Sequence, residues 1–114
     1  MSSLTKEKLL ALKPTVKKVD IPALGYVYVK SLNELTRSRR ISEMFDDKGR
    51  PNKKAQEERR ARLIIDQICD KNGDPMFTSA DLEDILKLDG LSLDAIINAI
   101  LGFNEDLEGN ALSE

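Results

Sequence analysis

The sequence predicts a mainly α-helical α+β fold, with an N-terminal β-hairpin and a small domain of about four helices. Three observations carry this. The β-rich runs "TVKKVDI" and "YVYVK" flank a short loop containing Pro22 and Gly25. Ala61, Ile64, Ile65 and Ile68 recur at i, i+3, i+4 and i+7. Leu93, Ile96, Ile97, Ile100 and Leu101 repeat that spacing. A chain of 114 residues suits one domain. We expect that domain over residues 1–104, followed by an acidic, mobile tail over 105–114.

Each element has its own signal. "LTKEKLLAL" (Leu4–Leu12) predicts a short helix ended by Pro14. Two strands follow, Tyr26–Lys30 being the better defined, around a turn preset by Pro22. "SLNE" (Ser31–Glu34) has capping-box spacing, so a helix is expected from Leu32 to Phe45 with Ser31 as its cap. The apolar pattern of this helix is broken. Leu32 and Leu35 lie on one side, Ile41, Met44 and Phe45 on another, and "TRSRR" separates them. "DDKGRPN" is a loop by composition. A helix from Lys53 to Cys69 follows, charged in its first half. Thr78 or Ser79 is expected to cap a short helix with Leu82, Ile85 and Leu86 inward, and Gly90 to end it. Ser92 then caps the last helix, which fades after Gly102. No internal repeat stands out.

Composition excludes several chemistries. There is no His, so the usual acid/base side chain near neutral pH is missing. The single cysteine, Cys69, allows no internal disulfide and no multi-cysteine metal site; it reads as a buried thiol. No apolar run approaches the ~18 residues of a membrane span, and "MSSLTKEKLLALKP" has no signal-peptide core. We therefore expect a soluble, intracellular protein without a membrane partner. No nucleophile elbow, phosphate loop or dinucleotide fingerprint occurs, so we expect no enzyme, no catalytic residues and no cofactor.

The stretch "DKNGDPMFTSAD" (Asp70–Asp81) resembles a calcium loop, with Asp70, Asn72, Asp74, Met76, Thr78 and Asp81 at the ligand positions. It fails where a Gly is required, because Pro75 stands there and cannot take a positive φ. It fails again at the last ligand, where Asp81 is one methylene shorter than Glu. The same residues read well as a helix-to-helix connector. Asn72-Gly73 turns the chain, Pro75 stops the preceding helix, Met76 and Phe77 dip inward, and Asp81 suits the next first turn.

The net charge of −2 conceals a division. Residues 1–62 hold 16 Lys/Arg against 8 Asp/Glu, a net +8; residues 63–114 hold 2 against 12, a net −10. Such asymmetry points to a partner. Arg37, Arg39 and Arg40 lie in one helix, and Arg59, Arg60 and Arg62 in the next. These arginines suit phosphates, so a nucleic-acid-binding helical module is the alternative reading. They also suit an acidic protein surface. Ile41, Met44 and Phe45 fit one core-facing stripe least well; they are either core or the floor of a groove. These nine residues are the candidate partner-binding set.

The ordered pattern resembles the tail assembly chaperones of long-tailed bacteriophages. The resemblance rests on "YVYVKSLNEL", a charged linker, "RARLIIDQICD", "KNGDPMFTSADLEDI" and "LSLDAIINAILGFN", spanning residues 16–104. It implies a small, mainly helical, late protein that binds the tape measure protein and keeps it soluble. It implies promotion of tail tube (major tail) protein polymerisation around that chain, in the host bacterial cytoplasm, by a protein absent from the mature virion. It also implies homo-oligomers and, in many members, a longer frameshifted form; this chain matches the short one. The family supplies no catalytic, cofactor or metal residue to carry over. The charge division independently suits head-to-tail contact between copies.

Overall fold

The computed structural model describes the backbone of residues 3–113 and the side chains of residues 3–107. Among these the order is α1 (Lys6–Leu10), β1 (Val16–Ile21), β2 (Gly25–Lys30), α2 (Glu34–Glu43), α3 (Lys53–Gln67), β3 (Ile68–Cys69), a 3₁₀ turn (Ser79–Asp81), α4 (Leu82–Leu86) and α5 (Gly90–Ser113). The α+β class and the N-terminal hairpin match the sequence reading.

β1 and β2 pair antiparallel from Val16↔Lys30 to Ile21↔Gly25. Alternation along the strands puts Val19, Ile21, Val27 and Val29 on one face. That face meets the helices, and Val29 is fully buried. Leu24 N–H donates to the Ile21 carbonyl at 3.0 Å, and Ala23 takes φ +69°, a conformation glycine would hold more easily. The core joins the sheet to one face each of α3, α4 and α5, through Ala61, Ile64, Ile65, Ile68, Ile85, Ile97, Ile100 and Phe103.

Four expectations need correction. Ser31 does not cap α2: its hydroxyl accepts from Thr15 N–H at 2.9 Å and closes the open end of the hairpin. Asn33 caps instead, accepting from Thr36 N–H at 2.9 Å, and the helix starts two residues later than expected. α3 stops at Gln67, because Ile68 and Cys69 turn extended and pair with Val29 and Tyr28 on the free edge of β2. Helical periodicity continued through Ile68, but the unpaired strand edge offers its backbone better-placed partners. Gly90 begins α5 rather than separating two helices, and Asp89, not Ser92, accepts at its start, from Ser92 N–H at 3.0 Å. Finally, α5 does not fade at Gly102: Phe103 is core. The expected mobility of the tail concerns positions that lie largely outside the described side chains.

The loops before Pro51 and Pro75 are one motif used twice. Asp46–Pro51 and Asp70–Pro75 both read Asp-x-x-Gly-x-Pro. In each, the Asp N–H donates to the carbonyl four residues on, at 2.7 Å and 3.0 Å. In each, the Asp Oδ1 accepts from the amides two and four residues on. In each, the Gly has positive φ, +77° at Gly49 and +87° at Gly73. The sequence reading noted no repeat; this one spans six residues and is set by backbone geometry rather than by hydrophobic pattern. It also explains Asp70 without an ion, since its carboxylate oxygen is used as that of Asp46 is.

The two glycines make an internally controlled test. A Cβ added at Gly49 meets open space, whereas one at Gly73 lies 3.2 Å from Val16 Cγ2. Gly49→Ala should cost ~1–2 kcal/mol from its left-handed backbone alone. Gly73→Ala should cost visibly more, because the loop would also be pushed off the sheet. Equal shifts in urea midpoint would show that the loop does not press on Val16.

The radius of gyration is 15.8 Å, against ~13 Å expected for a compact chain of this length. Two elements lie outside the core. α1, capped by Thr5, buries nothing and leaves Leu9 and Leu10 exposed. α2 contains no buried residue.

Candidate functional site

α2 and α3 form a helical hairpin closed by the Asp46–Pro51 loop, in which Phe45 bridges to Pro51 and Asn52 N–H donates to the Met44 carbonyl at 2.8 Å. Asn52 then caps α3 through Ala55 N–H at 3.2 Å. The two helices do not zip together along their length, because α2 lacks a continuous apolar stripe. A groove of about 380 Å³ lies between them.

Seven of the nine candidate residues line it. Arg37, Arg40, Ile41, Met44 and Phe45 come from α2 and its end, and Arg59 and Arg62 from α3. Leu32, Ala55 and Leu63 complete the apolar lining, and Glu43 and Asp66 supply acids. Arg39 and Arg60 are not part of it. Arg39 is exposed, and Arg60 pairs with Asp94 on α5. Ile41 and Phe45 are 56% and 53% exposed and Met44 is half-buried, and none of the three belongs to the core cluster.

One polar clamp holds α2 in place. The Arg40 guanidinium grips Asp66 with two hydrogen bonds, Nε at 2.6 Å and Nη2 at 2.8 Å, and reaches Glu43 at 3.0 Å with Nη1. Such a forked contact fixes orientation as well as distance. Hydrogen bonding to Asp66, more than to Glu43, holds Arg40 charged even more firmly than an ordinary guanidinium, against the opposing effect of burial. Arg62 has Glu58 at 3.6 Å. Among the described residues, Arg37, Arg39 and Arg59 have no carboxylate within salt-bridge distance. The groove therefore has an apolar floor and a rim with uncompensated positive charge.

Sequence reasoning missed Asp66, Leu63 and Ala55. A signal was present: Ala55, Arg59, Arg62, Leu63 and Asp66 recur at i, i+4, i+7, i+8 and i+11, a second helical stripe beside the core-facing one. The core stripe, with more apolar residues, masked it.

The other sequence features resolve into structure. Thr78 and Asp81 form the capping box of the turn into α4, with Thr78 N–H donating to Asp81 Oδ2 at 2.8 Å. Asp81 is thus a cap, as the connector reading expects. Phe77 packs at the edge of the core, but Met76 is 53% exposed rather than inward. Burial pushes the Cys69 thiol up, and its Sγ lies 3.6 Å from the Tyr28 carbonyl. Fully buried Gln67 ties three elements together, its amide donating to the Lys30 carbonyl at 2.9 Å and to Asn104 Oδ1 at 2.8 Å. No helix among the described residues is long and apolar enough to cross a membrane.

The chain is similar to the solved structure of the bacteriophage HK97 tail assembly chaperone, with a TM-score of 0.55 over 82% of this chain and 92% of that one. The chain has the fold of a phage tail assembly chaperone. Sequence identity across the match is 17%, so the likeness lies in architecture, not in shared side chains. No family model and no curated protein matches the sequence.

Proposed function

We propose that this chain is a tail assembly chaperone of a long-tailed phage, acting by binding and not by catalysis. Its client is the tape measure protein, whose amphipathic helical segments lie in the α2–α3 groove. The observation that carries the reading is the fold shared with the HK97 tail assembly chaperone; the groove supplies a physical means. An apolar floor takes the client's apolar stripe, and the arginine rim takes acidic residues beside it, as in helix-in-groove recognition. Covering that stripe keeps the client soluble in the host bacterial cytoplasm. The chaperone is displaced as the tail tube (major tail) protein polymerises around the client, and it is absent from the virion. Weak, rim-steered contacts suit a protein that must leave.

Co-expression tests this. The tape measure protein should move from the pellet to the soluble fraction when this chain is present. Ile41→Asp and Phe45→Asp should abolish that rescue while leaving the thermal unfolding midpoint within a few degrees, since both side chains are already half exposed. A tape measure protein equally insoluble with and without the chain would sink the proposal.

A further inference from the structure

We propose that the Arg40–Asp66 clamp is a gate: it divides one long trough into two cavities, and a client carboxylate that takes Arg40 from Asp66 rolls α2 outward and joins them. This rests on the client reading above and states how that site is opened. Beyond the clamp lies a second cavity of about 370 Å³, between the start of α2 and the turn into α4. Leu32, Arg40 and Asp66 line both cavities. The ion pair therefore stands as a wall between them.

α2 is arranged as a strap over this trough. Its first anchor is Ser31, whose N–H donates to the Thr15 carbonyl at 3.0 Å and whose hydroxyl accepts from Thr15 N–H at 2.9 Å. Its second is the Met44 carbonyl, which accepts from Asn52 N–H at 2.8 Å. Between these anchors α2 buries no residue, and among the described residues only Arg40 hydrogen-bonds it to α3. A helix held at both ends and free of the core rolls with little loss of apolar burial. Rolling uncovers Asp66, whose side chain is 7% exposed when the clamp is closed. The carboxylate that loses Arg40 is then hydrated rather than stranded.

The joined trough fits an amphipathic helix whose apolar stripe runs into acidic residues. The first cavity follows α3 from Ala55 to Asp66, ~16 Å at helical rise, and has an apolar floor. The second is more polar, with Lys30, Thr36 and Thr78 beside Ile65 and Phe77. Lys30, Arg37 and Arg59 have no carboxylate within salt-bridge distance among the described residues. Arg40, once freed, adds a fourth cation at the junction. A client acid placed there gains a forked partner, and a client without one meets a closed gate. The gate thus selects acidic amphipathic helices over merely apolar ones.

The test uses the purified full chain and a dye-labelled synthetic helical segment of the tape measure protein. Spin labels on Arg39→Cys of α2 and Gln56→Cys of α3, with Cys69→Ala to remove the native thiol, report the separation of the two helices. Both labelled positions are exposed and outside the groove lining. Bound segment should lengthen that distance, and Arg40→Met should lengthen it with no segment present. Arg40→Met should also bind the segment roughly tenfold more tightly, since a closed state no longer competes. Asp66→Asn replaces it if that variant loses its helical circular dichroism. Arg40→Met with Asp66→Leu, whose apolar contact keeps α2 down, should bind more weakly than Arg40→Met alone. Thr36→Trp, which fills the second cavity, should weaken binding several-fold. A distance unchanged in the complex, a single clamp variant no tighter than wild type, or a Thr36→Trp variant that binds as wild type does overturns the gate while the client reading stands. A segment that binds neither wild type nor any variant overturns both.

Discussion

Replacing Phe103 with alanine is expected to remove ~3–5 kcal/mol of stability, the cost of truncating a core phenylalanine. Phe103 is 5% exposed and belongs to the same cluster as Val29, Ile68 and Ile100. It sits on α5, where that helix packs against β1 as well as α3, so the cavity would open where sheet and helices join. Domains of this size have ~5–15 kcal/mol in total, and the loss should be plain in a urea titration as a lower midpoint with an unchanged slope. Leu101, two residues earlier on the same helix, is 44% exposed. Leu101→Ala should cost under ~1.5 kcal/mol, half or less of what full burial of a leucine contributes. Similar losses for the two variants would mean that α5 does not pack as described.

Replacing Arg40 with methionine is expected to cost ~3 kcal/mol, because it leaves Asp66 without its partner. The Asp66 side chain is only 7% exposed, and Arg40 supplies both of its hydrogen bonds. Removing one member of such a pair strands a charge in poor solvent, whereas removing both does not. The double variant Arg40→Met with Asp66→Leu should therefore recover most of the loss, which a double-mutant cycle measures directly. Because α2 buries no residue of its own, the single variant should also release it. Amide exchange across Glu34–Glu43 should quicken while the core strands stay protected. A single variant within ~0.5 kcal/mol of wild type, the range of ordinary surface substitutions, would show that α2 is held by something else.

Much of this molecule was legible in one dimension. The hairpin was readable because β1 and β2 are adjacent in sequence and share a Pro-containing turn. The core faces of α3 and α5 were readable because apolar residues recur at helical spacing, as with Ala61, Ile64, Ile97 and Ile100. The Asp70–Asp81 connector was readable because Pro75 forbids the backbone that an ion loop needs. Failures came where a distant group outcompeted a local one. Ser31 has the spacing of a cap, but Thr15 across the hairpin takes its hydroxyl. Ile68 has the phase of a helix, but the edge of β2 takes its backbone. Phe103 follows a glycine and precedes acidic residues, yet the space beside the core is its place.

The candidate site divides in the same way. The sequence alone determined that Ile41, Met44 and Phe45 fit one core-facing stripe least well and that six arginines, Arg37, Arg39, Arg40, Arg59, Arg60 and Arg62, cluster on two helices. It also determined that the chain's first half is basic and its second acidic. Seven of these nine residues, all but Arg39 and Arg60, line the groove. Only the tertiary structure decided that these seven residues share one groove, that Arg40 is spent on Asp66, and that Arg60 faces Asp94 instead. The physical reason is range. Periodicity and charge are properties of neighbours along the chain, whereas a groove exists only where two helices stop short of full contact.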